Sequence, residues 1–470
     1  MSQKNETRAL LVSLLVTAGL LGGGFWWFSQ RSGLRFDDNA STLSPQGSLQ
    51  DRISQGERIL LPSESSNPEF NSLKQAGVSA IAAARYADAV PLLESAMQKH
   101  SNAPETLIYL NNARIGQRKA YTIAVAVPIK TDVAGSAEIL RGVAQAQNDL
   151  NRGGGINGAG LKVAIANDDN DPDLAQQIAR AFVQTSDILG VVGHYASDVS
   201  LAAGSVYNTN QLVSISPIST TVKLSGFGQY VFRTVPSDYV AARALADYAA
   251  TTLQQPTVAV FFNSQSAYSQ SLKSEFVTAV SLTGGQVSNE FDLSSADFSA
   301  ARAVDQALKS GAKALMLAAN TGTLDKALQV VQVNRKRSLL LGGDDVYAPK
   351  TLEVGGEQAE GMVVAVPWHI ERDPRSPFAR RSRQLWGADV NWRSAIAYDA
   401  TQALIAALRQ NPTRQGIQQA LSASTFSAAG ASQTVRFLPS GDRNAGIQLV
   451  NVVPGNRSGA GFDFTPVARN

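Results

Sequence analysis

The sequence predicts an α/β protein: two doubly wound parallel-sheet lobes joined by a hinge, preceded by a transmembrane helix and a short α-helical hairpin. Three observations carry this. Short continuous apolar runs such as Thr122 to Val127 alternate with helical periodicity from Tyr121 onward, the pattern of parallel strands covered on both faces. The alternation begins afresh after Tyr239, giving two successive sheets, each too short for a barrel. Residues 9–30 carry no charge.

That uncharged run, from Ala9-Leu10-Leu11-Val12 to Phe25-Trp26-Trp27-Phe28, would form a helix of about 33 Å against a hydrocarbon core of about 30 Å. It ends in Gly22-Gly23-Gly24 and two tryptophans, which suit the headgroup layer better than a peptidase site. A retained signal-anchor at 9–30 behind a cytoplasmic tail at 1–8 is therefore expected. Lys4 and Arg8 balance Arg31 and Arg35, so charge alone does not set the orientation. Residues 31–66 are rich in Ser, Asn, Asp, Gln and Gly, with one apolar island at Ile59-Leu60-Leu61, and read as a mostly irregular linker. Residues 67–117 turn helical. Gly77, Tyr86, Ala89 and Ala96 fall at the spacing of one tetratricopeptide repeat, where small residues let two helices approach, and Pro104-Glu105 starts a further helix. An Ala-rich hairpin packed on its neighbour and a partner-binding module both fit that stretch.

In the α/β region, strands are expected at 122–127, 161–166, 188–192 and 212–215, with helices at 137–150, 174–183 and 197–208 between them. The second set has helices ending at Leu253 and Leu282, and strands at 257–262, 286–291, 314–317 and 339–341. Residues 119–470 are expected to form the two-lobed domain.

Composition removes much chemistry. Lys plus Arg number 41 against 38 Asp plus Glu, and the net charge of +3 is too small for a nucleic-acid binder. The absence of cysteine excludes disulfides, thiolate metal sites, cysteine nucleophiles and a lipoprotein anchor, and three histidines leave little room for a zinc enzyme. Gly153-Gly154-Gly155-Ile156-Asn157-Gly158 fits a dinucleotide fingerprint, but it follows a helix and leads into a strand, the reverse of what a pyrophosphate site needs. The acids of Asp168-Asp169-Asn170-Asp171-Pro172-Asp173 lack the Gly and Glu of a calcium loop and read as caps of the helix near Pro172. Ser197 lies near His194 and Asp198 without a nucleophile elbow. No catalytic residue, metal or cofactor is assigned. The positive signal is a pair of adjacent strand ends, Val191-Val192-Gly193-His194-Tyr195-Ala196-Ser197 and Ser214-Ile215-Ser216-Pro217-Ile218-Ser219-Thr220, whose hydroxyls and backbone donors suit a carboxylate. Ser197 is expected to cap the helix after it, and ordinary helix caps would leave the same pattern.

Further motifs recur in order: Leu140-Arg141-Gly142, Asn151-Arg152-Gly153-Gly154-Gly155-Ile156-Asn157-Gly158, Asp168-Asp169 with Asp171-Pro172, Gly193-His194, Ser216-Pro217, Arg233-Thr234, Glu360-Gly361-Met362 and Ala397-Tyr398-Asp399-Ala400. With them, Tyr121 to about Val467 resembles the type I periplasmic solute-binding proteins, specifically the leucine/isoleucine/valine-binding family of ABC importers. The lobe bounds, about 119–237 and 366–432 for lobe one and about 238–365 and 433–467 for lobe two, follow from this resemblance and not from the alternation. The resemblance implies that Ser197, Thr220 and a backbone group at Ile218 hold a ligand carboxylate. It implies that Tyr268 lines lobe two and that Asp344 binds an ammonium, with Asp345 as a second candidate. The family's glutamate is replaced by a shorter Asp, and its other lobe-two aromatic falls at Asn320-Thr321, so that wall is polar. The resemblance and the uncharged run together imply a membrane-anchored, extracytoplasmic protein taking an amino-acid-like ligand or related amide, with ABC permease subunits as partners and no nucleic acid. The alternative is a ligand-independent regulator, since a helical repeat ahead of such a lobe pair also resembles activators of cell-wall synthases.

Overall fold

Alternation of large and small residues along each central strand decides how the sheets are covered. The computed structural model describes residues 48–468, Ser63 excepted, so the tail, the signal-anchor and the linker up to residue 47 lie outside the described residues. Lobe one opens with β1 (Ile53–Ser54) and the helices α1 (Pro68–Ala82), α2 (Tyr86–Lys99) and α3 (Pro104–Ile115). It continues through β2 (Ala120–Val127), α4 (Val133–Arg152), β3 (Gly160–Asn167), α5 (Pro172–Gln184), β4 (Ile188–Val192), α6 (Ser197–Thr209), β5 (Ser214–Ser216) and β6 (Val231–Arg233). Lobe two contains α7 (Asp238–Leu253), β7 (Thr257–Phe262), α8 (Ala267–Leu282), β8 (Gln286–Asp292), α9 (Ala300–Lys309) and β9 (Ala314–Ala318). It goes on with α10 (Leu324–Asn334), β10 (Leu339–Gly342), α11 (Pro349–Gly355) and β11 (Val363–Val366). The chain returns to lobe one for α12 (Pro377–Trp386), α13 (Trp392–Gln410) and α14 (Arg414–Ser422), then ends in lobe two with β12 (Gln448–Pro454) and β13 (Phe462–Pro466).

On β2, Ile123, Val125 and Val127 pack on one face with Val143 and Leu404, while Ala124 and Ala126 face Ile178, Phe182 and Tyr207 on the other. Both faces are dry, which is why the strand reads as one apolar run. The sheet order is β1-β3-β2-β4-β5-β6 in lobe one and β13-β12-β11-β10-β9-β7-β8 in lobe two. Numbered within each lobe, the parallel strands take the same doubly wound order, 2-1-3-4-5, which places a crevice beyond their carboxyl ends. Lobe two adds the antiparallel pair β12 and β13, which sequence periodicity missed.

Two expected boundaries are corrected. Residues 48–66 are not a free linker over their described part. Ile53 and Ser54 pair antiparallel with Ala166 and Ile165, and Leu61 is buried, its N–H and that of Leu60 bonded to the Glu105 carboxylate at 2.9 and 2.7 Å. A two-residue edge strand leaves no periodicity to read. The second correction is the final crossing: Arg233 bonds Asp442 at 2.6 Å, and Arg443 pairs with Asp399 of α13, so residues 433–443 belong with lobe one. The return to lobe two falls just before β12.

The helical segment is part of lobe one. A Cβ on Gly77 would meet Leu93 Cδ2 at 2.6 Å, so the small residue sets how closely α1 approaches α2. Every residue of α3 except Arg114 is buried. Asn112 donates to the carbonyls of Gln55 and Val163 and accepts from Val163 N–H and Gln147, stitching α3 to the lobe-one sheet and α4. Lys74 is buried between Glu64 and Glu105 at 2.8 and 2.6 Å. Among the described residues no helix is long and apolar enough to cross a membrane.

Candidate ligand cleft

The carboxyl ends of the two sheets face each other across a cleft of about 390 Å³. On lobe one its wall comes from loops after β2, β3, β4 and β5; on lobe two it comes from loops after β7, β9 and β10. Of the residues expected at the site, Ser197, Ile218, Tyr268, Asn320, Asp344 and Asp345 line this cleft. Thr220 does not; it is buried behind the wall, where its carbonyl accepts the Asp238 N–H at 2.8 Å.

The lobe-one floor is tied together by His194. Its Nδ1 lies 2.5 Å from Asp168 Oδ2 and its Nε2 3.0 Å from Tyr207 Oη, while its carbonyl accepts from Ser216 Oγ at 2.9 Å. Loops from three strands are thereby fixed. Ser197 does not cap its helix: Ala196 holds the cap position and Ser197 is the first helical residue. One position further along, its hydroxyl is released from the backbone, and its Oγ is buried without a hydrogen-bond partner. The first intrahelical bond runs from Ser200 N–H to Ala196, so the N–H groups of Ser197, Asp198 and Val199 precede the ladder and stay free of it. A free hydroxyl beside a helix N-terminus is suited to an anion. Thr220 Oγ1 is likewise buried and unbonded. It stands near the Asp238 carboxyl, eases it slightly, and closes no bond to it.

On lobe two, Tyr268 donates to Asp344 Oδ1 at 2.6 Å. A Cβ on Gly343 would lie 2.3 Å from that tyrosine oxygen, so glycine there is what lets the ring reach the carboxyl. Burial, and then the neighbouring charge of Asp345, push the Asp344 carboxyl up to about 7. Asp345 is engaged differently from the expectation. Its Oδ1 is 3.2 Å from Arg393 Nη2 and its Oδ2 accepts Thr321 N–H at 3.1 Å. Burial raises its carboxyl and Arg393 opposes the rise. Arg393 also donates to Tyr195 Oη at 3.0 Å and to the Tyr347 carbonyl at 3.3 Å, so one guanidinium on α13 joins the two lobes. A second bridge is Asp198, whose carboxylate accepts Ala267 N–H at 3.0 Å.

Sequence reasoning missed Thr131, Asp169, Asn170, Tyr195, Asp198 and Gln265 on the wall, and Arg393 behind it. All six wall residues come after strands at their carboxyl ends, a signal that was available; Arg393 opens a helix far away in sequence and gives no local sign. Asp171 does cap α5 through Leu174 N–H, as expected, whereas Asp169 faces the cleft and pairs with Arg52 at 2.7 Å. Among the described residues, four aspartates and no lysine, arginine or histidine line the cleft.

A two-lobed crevice at the carboxyl ends of two such sheets, with an unbonded hydroxyl on one wall and a buried acid on the other, has the architecture of a solute-binding protein. The model of a periplasmic binding protein family matches residues 120–459, and the chain belongs to that family. It is 25 % identical over 256 residues to the leucine-, isoleucine-, valine-, threonine- and alanine-binding protein of Pseudomonas aeruginosa, covering 54 % of this chain and 68 % of that one. It is 26 % identical over 236 residues to the leucine-specific-binding protein of Salmonella typhimurium, covering 50 % of this chain and 63 % of the relative. Among solved structures, the ABC transporter substrate-binding protein of Desulfitobacterium hafniense in complex with Leu superposes with a TM-score of 0.62 at 24 % identity, over 74 % of this chain and 100 % of that one. At that identity the superposition speaks for the fold. The helical segment and β1 precede the matched region.

Proposed function

We propose that this protein is an extracytoplasmic solute-binding protein that closes its two lobes on an amino-acid-like zwitterion and delivers it to an ABC permease, tethered to the membrane by residues 9–30. One observation carries the reading. The buried, unbonded hydroxyl of Ser197 and the free helix N-terminus beside it lie in the same cleft as Asp344, whose carboxyl group has Tyr268 as its only hydrogen-bond partner among the described residues. An anion site and an unneutralised acid in one cleft suit the carboxylate and ammonium of one small ligand. Asp344 is the member of the acidic pair left for the ammonium, because Asp345 is occupied by Arg393. An ammonium beside Asp344 would draw its carboxyl back down and ionise it, so binding strengthens as pH rises through about 7. The names of the relatives, which bind leucine and other amino acids, support the same class.

The regulator reading is favoured by one feature, the burial of α3 between the helical hairpin and lobe one, which makes an extra module rigidly continuous with the binding domain. Thermal unfolding of the full-length protein in detergent against a panel of L-amino acids, their amides and short peptides separates the two. A ligand at 100 times its Kd stabilises by about 2.7 kcal/mol and should raise the midpoint by several degrees. If nothing in the panel moves the midpoint, the regulator reading stands instead.

A further inference from the structure

The loops carrying Ser197 and Ile218 come after β4 and β5. Going across lobe one from those strands, the rest of the wall comes from the loops after β2 and β3, which present Thr131 and Asn170. On lobe two, Asn320 and Gly322 come after β9, one strand further in the sheet than Asp344. This is the end of the cleft left over once a carboxylate and an ammonium are placed, and it is polar.

The orientation of Asn320 is fixed by a chain of hydrogen bonds. Gln265 N–H donates to Asn263 Oδ1 at 2.8 Å, so the other end of that amide, Nδ2, is the donor to Asn320 Oδ1 at 2.9 Å. Thr323 Oγ1 donates to the same Asn320 oxygen at 2.8 Å. With its oxygen committed twice, Asn320 turns its Nδ2 hydrogens away from that network, and they have no protein acceptor among the described residues. Nδ2 is the nearest atom a Cβ on Gly322 would meet, at 3.7 Å, so the missing side chain leaves the amide open to the cleft.

We infer that the cleft selects amino acids whose side chain carries a hydroxyl or carboxamide, with Asn320 as the residue that sets the preference. The inference rests on the amino-acid reading above and goes further by naming the side-chain class. An acidic side chain would enter a wall with four aspartates and, among the described residues, no cationic one. A cationic side chain carries only donors and would meet the Asn320 N–H groups without accepting from them, and two of the cleft carboxylates are already paired, Asp169 with Arg52 and Asp345 with Arg393. A branched aliphatic side chain would cover the Asn320 donors without accepting from them, which costs about 10- to 100-fold in affinity. A hydroxyl or amide oxygen accepts from them.

Calorimetric titration of the full-length protein with L-threonine, L-asparagine and L-glutamine, and with L-leucine, L-isoleucine and L-valine, tests this. At least one polar ligand should bind about 10-fold or more tightly than every aliphatic one. Asn320→Leu should reverse that order, and Thr131→Val, which leaves the Asn320 network intact, should weaken the polar ligands alone. Aliphatic ligands binding as tightly as polar ones to the unmodified protein would overturn the selectivity while leaving the amino-acid reading in place. Binding of neither group would overturn both.

Discussion

Two adjacent aspartates should respond in opposite directions to the same substitution. Asp344 is buried with only a tyrosine hydroxyl against it, and its carboxyl is pushed up to about 7 from an ordinary value of 3.8. For an acid raised on folding, the stabilising contribution is complete below the unfolded pKa and is lost as pH climbs through the folded one. Above pH 7 the ionised form therefore works against folding by roughly 4 kcal/mol at most, from three pKa units at about 1.4 kcal/mol each. Asp344→Asn removes that term and should raise the midpoint at pH 8 by several degrees and at pH 5 by less than half as much, because only about one of the three pKa units lies between the unfolded value and pH 5. Asp345→Asn does the reverse. It leaves the buried Arg393 guanidinium without its carboxylate, and breaking such a pair costs about 3–5 kcal/mol. Thermal unfolding of the three proteins at pH 5 and pH 8, then ligand titration, reads both effects. Asp344→Asn should gain stability while losing about 2–5 kcal/mol of binding free energy, the mark of an acid kept for its ligand. A lower midpoint for Asp344→Asn at pH 8, with affinity unchanged, would refute the reasoning.

The same structure sets other expectations. Ser197→Ala removes one neutral donor while the helix N-terminus remains, so affinity should fall by about 1 kcal/mol, much less than for Asp344→Asn in the same titration. Lys74→Met leaves Glu64 and Glu105 buried without their cation and should destabilise by about 3–5 kcal/mol, measured by denaturant unfolding. The apolar run at 9–30 should keep the native protein in the membrane fraction with its first residues present by mass; a soluble form beginning beyond Phe28 would contradict this.

Much of the fold was legible because its strands are dry on both faces. Thr257–Phe262 and Ile188–Val192 were bounded to the residue for that reason. β1, with two residues, and β12, which alternates buried with half-buried positions after a long irregular stretch, escaped for want of such a signature. β6 and β11 are buried throughout and escaped because three or four residues are too short a run to read. The site was legible at strand ends and illegible where partners come from afar. Nothing near Asp345 announces that Arg393 on a distant helix will occupy it. Thr220 shows the limit of carrying a role over from a resemblance, since in the irregular segment after β5 it is buried and absent from the cleft wall that Ile218 joins. The single-residue shift of Ser197 from cap to first turn is of the same kind, and it is that shift which frees the hydroxyl.

The central claim is that the cleft holds both ends of a zwitterion, and analogues lacking one end test it most directly. For whichever amino acid binds best, its 2-hydroxy-acid analogue lacks the ammonium and its carboxamide lacks the carboxylate. Calorimetric titration of the full-length protein with all three should show each analogue weaker by about 30-fold or more, the equivalent of about 2 kcal/mol. A 2-hydroxy acid that binds as tightly as its parent would contradict the account, because Asp344 would then have no ammonium to meet.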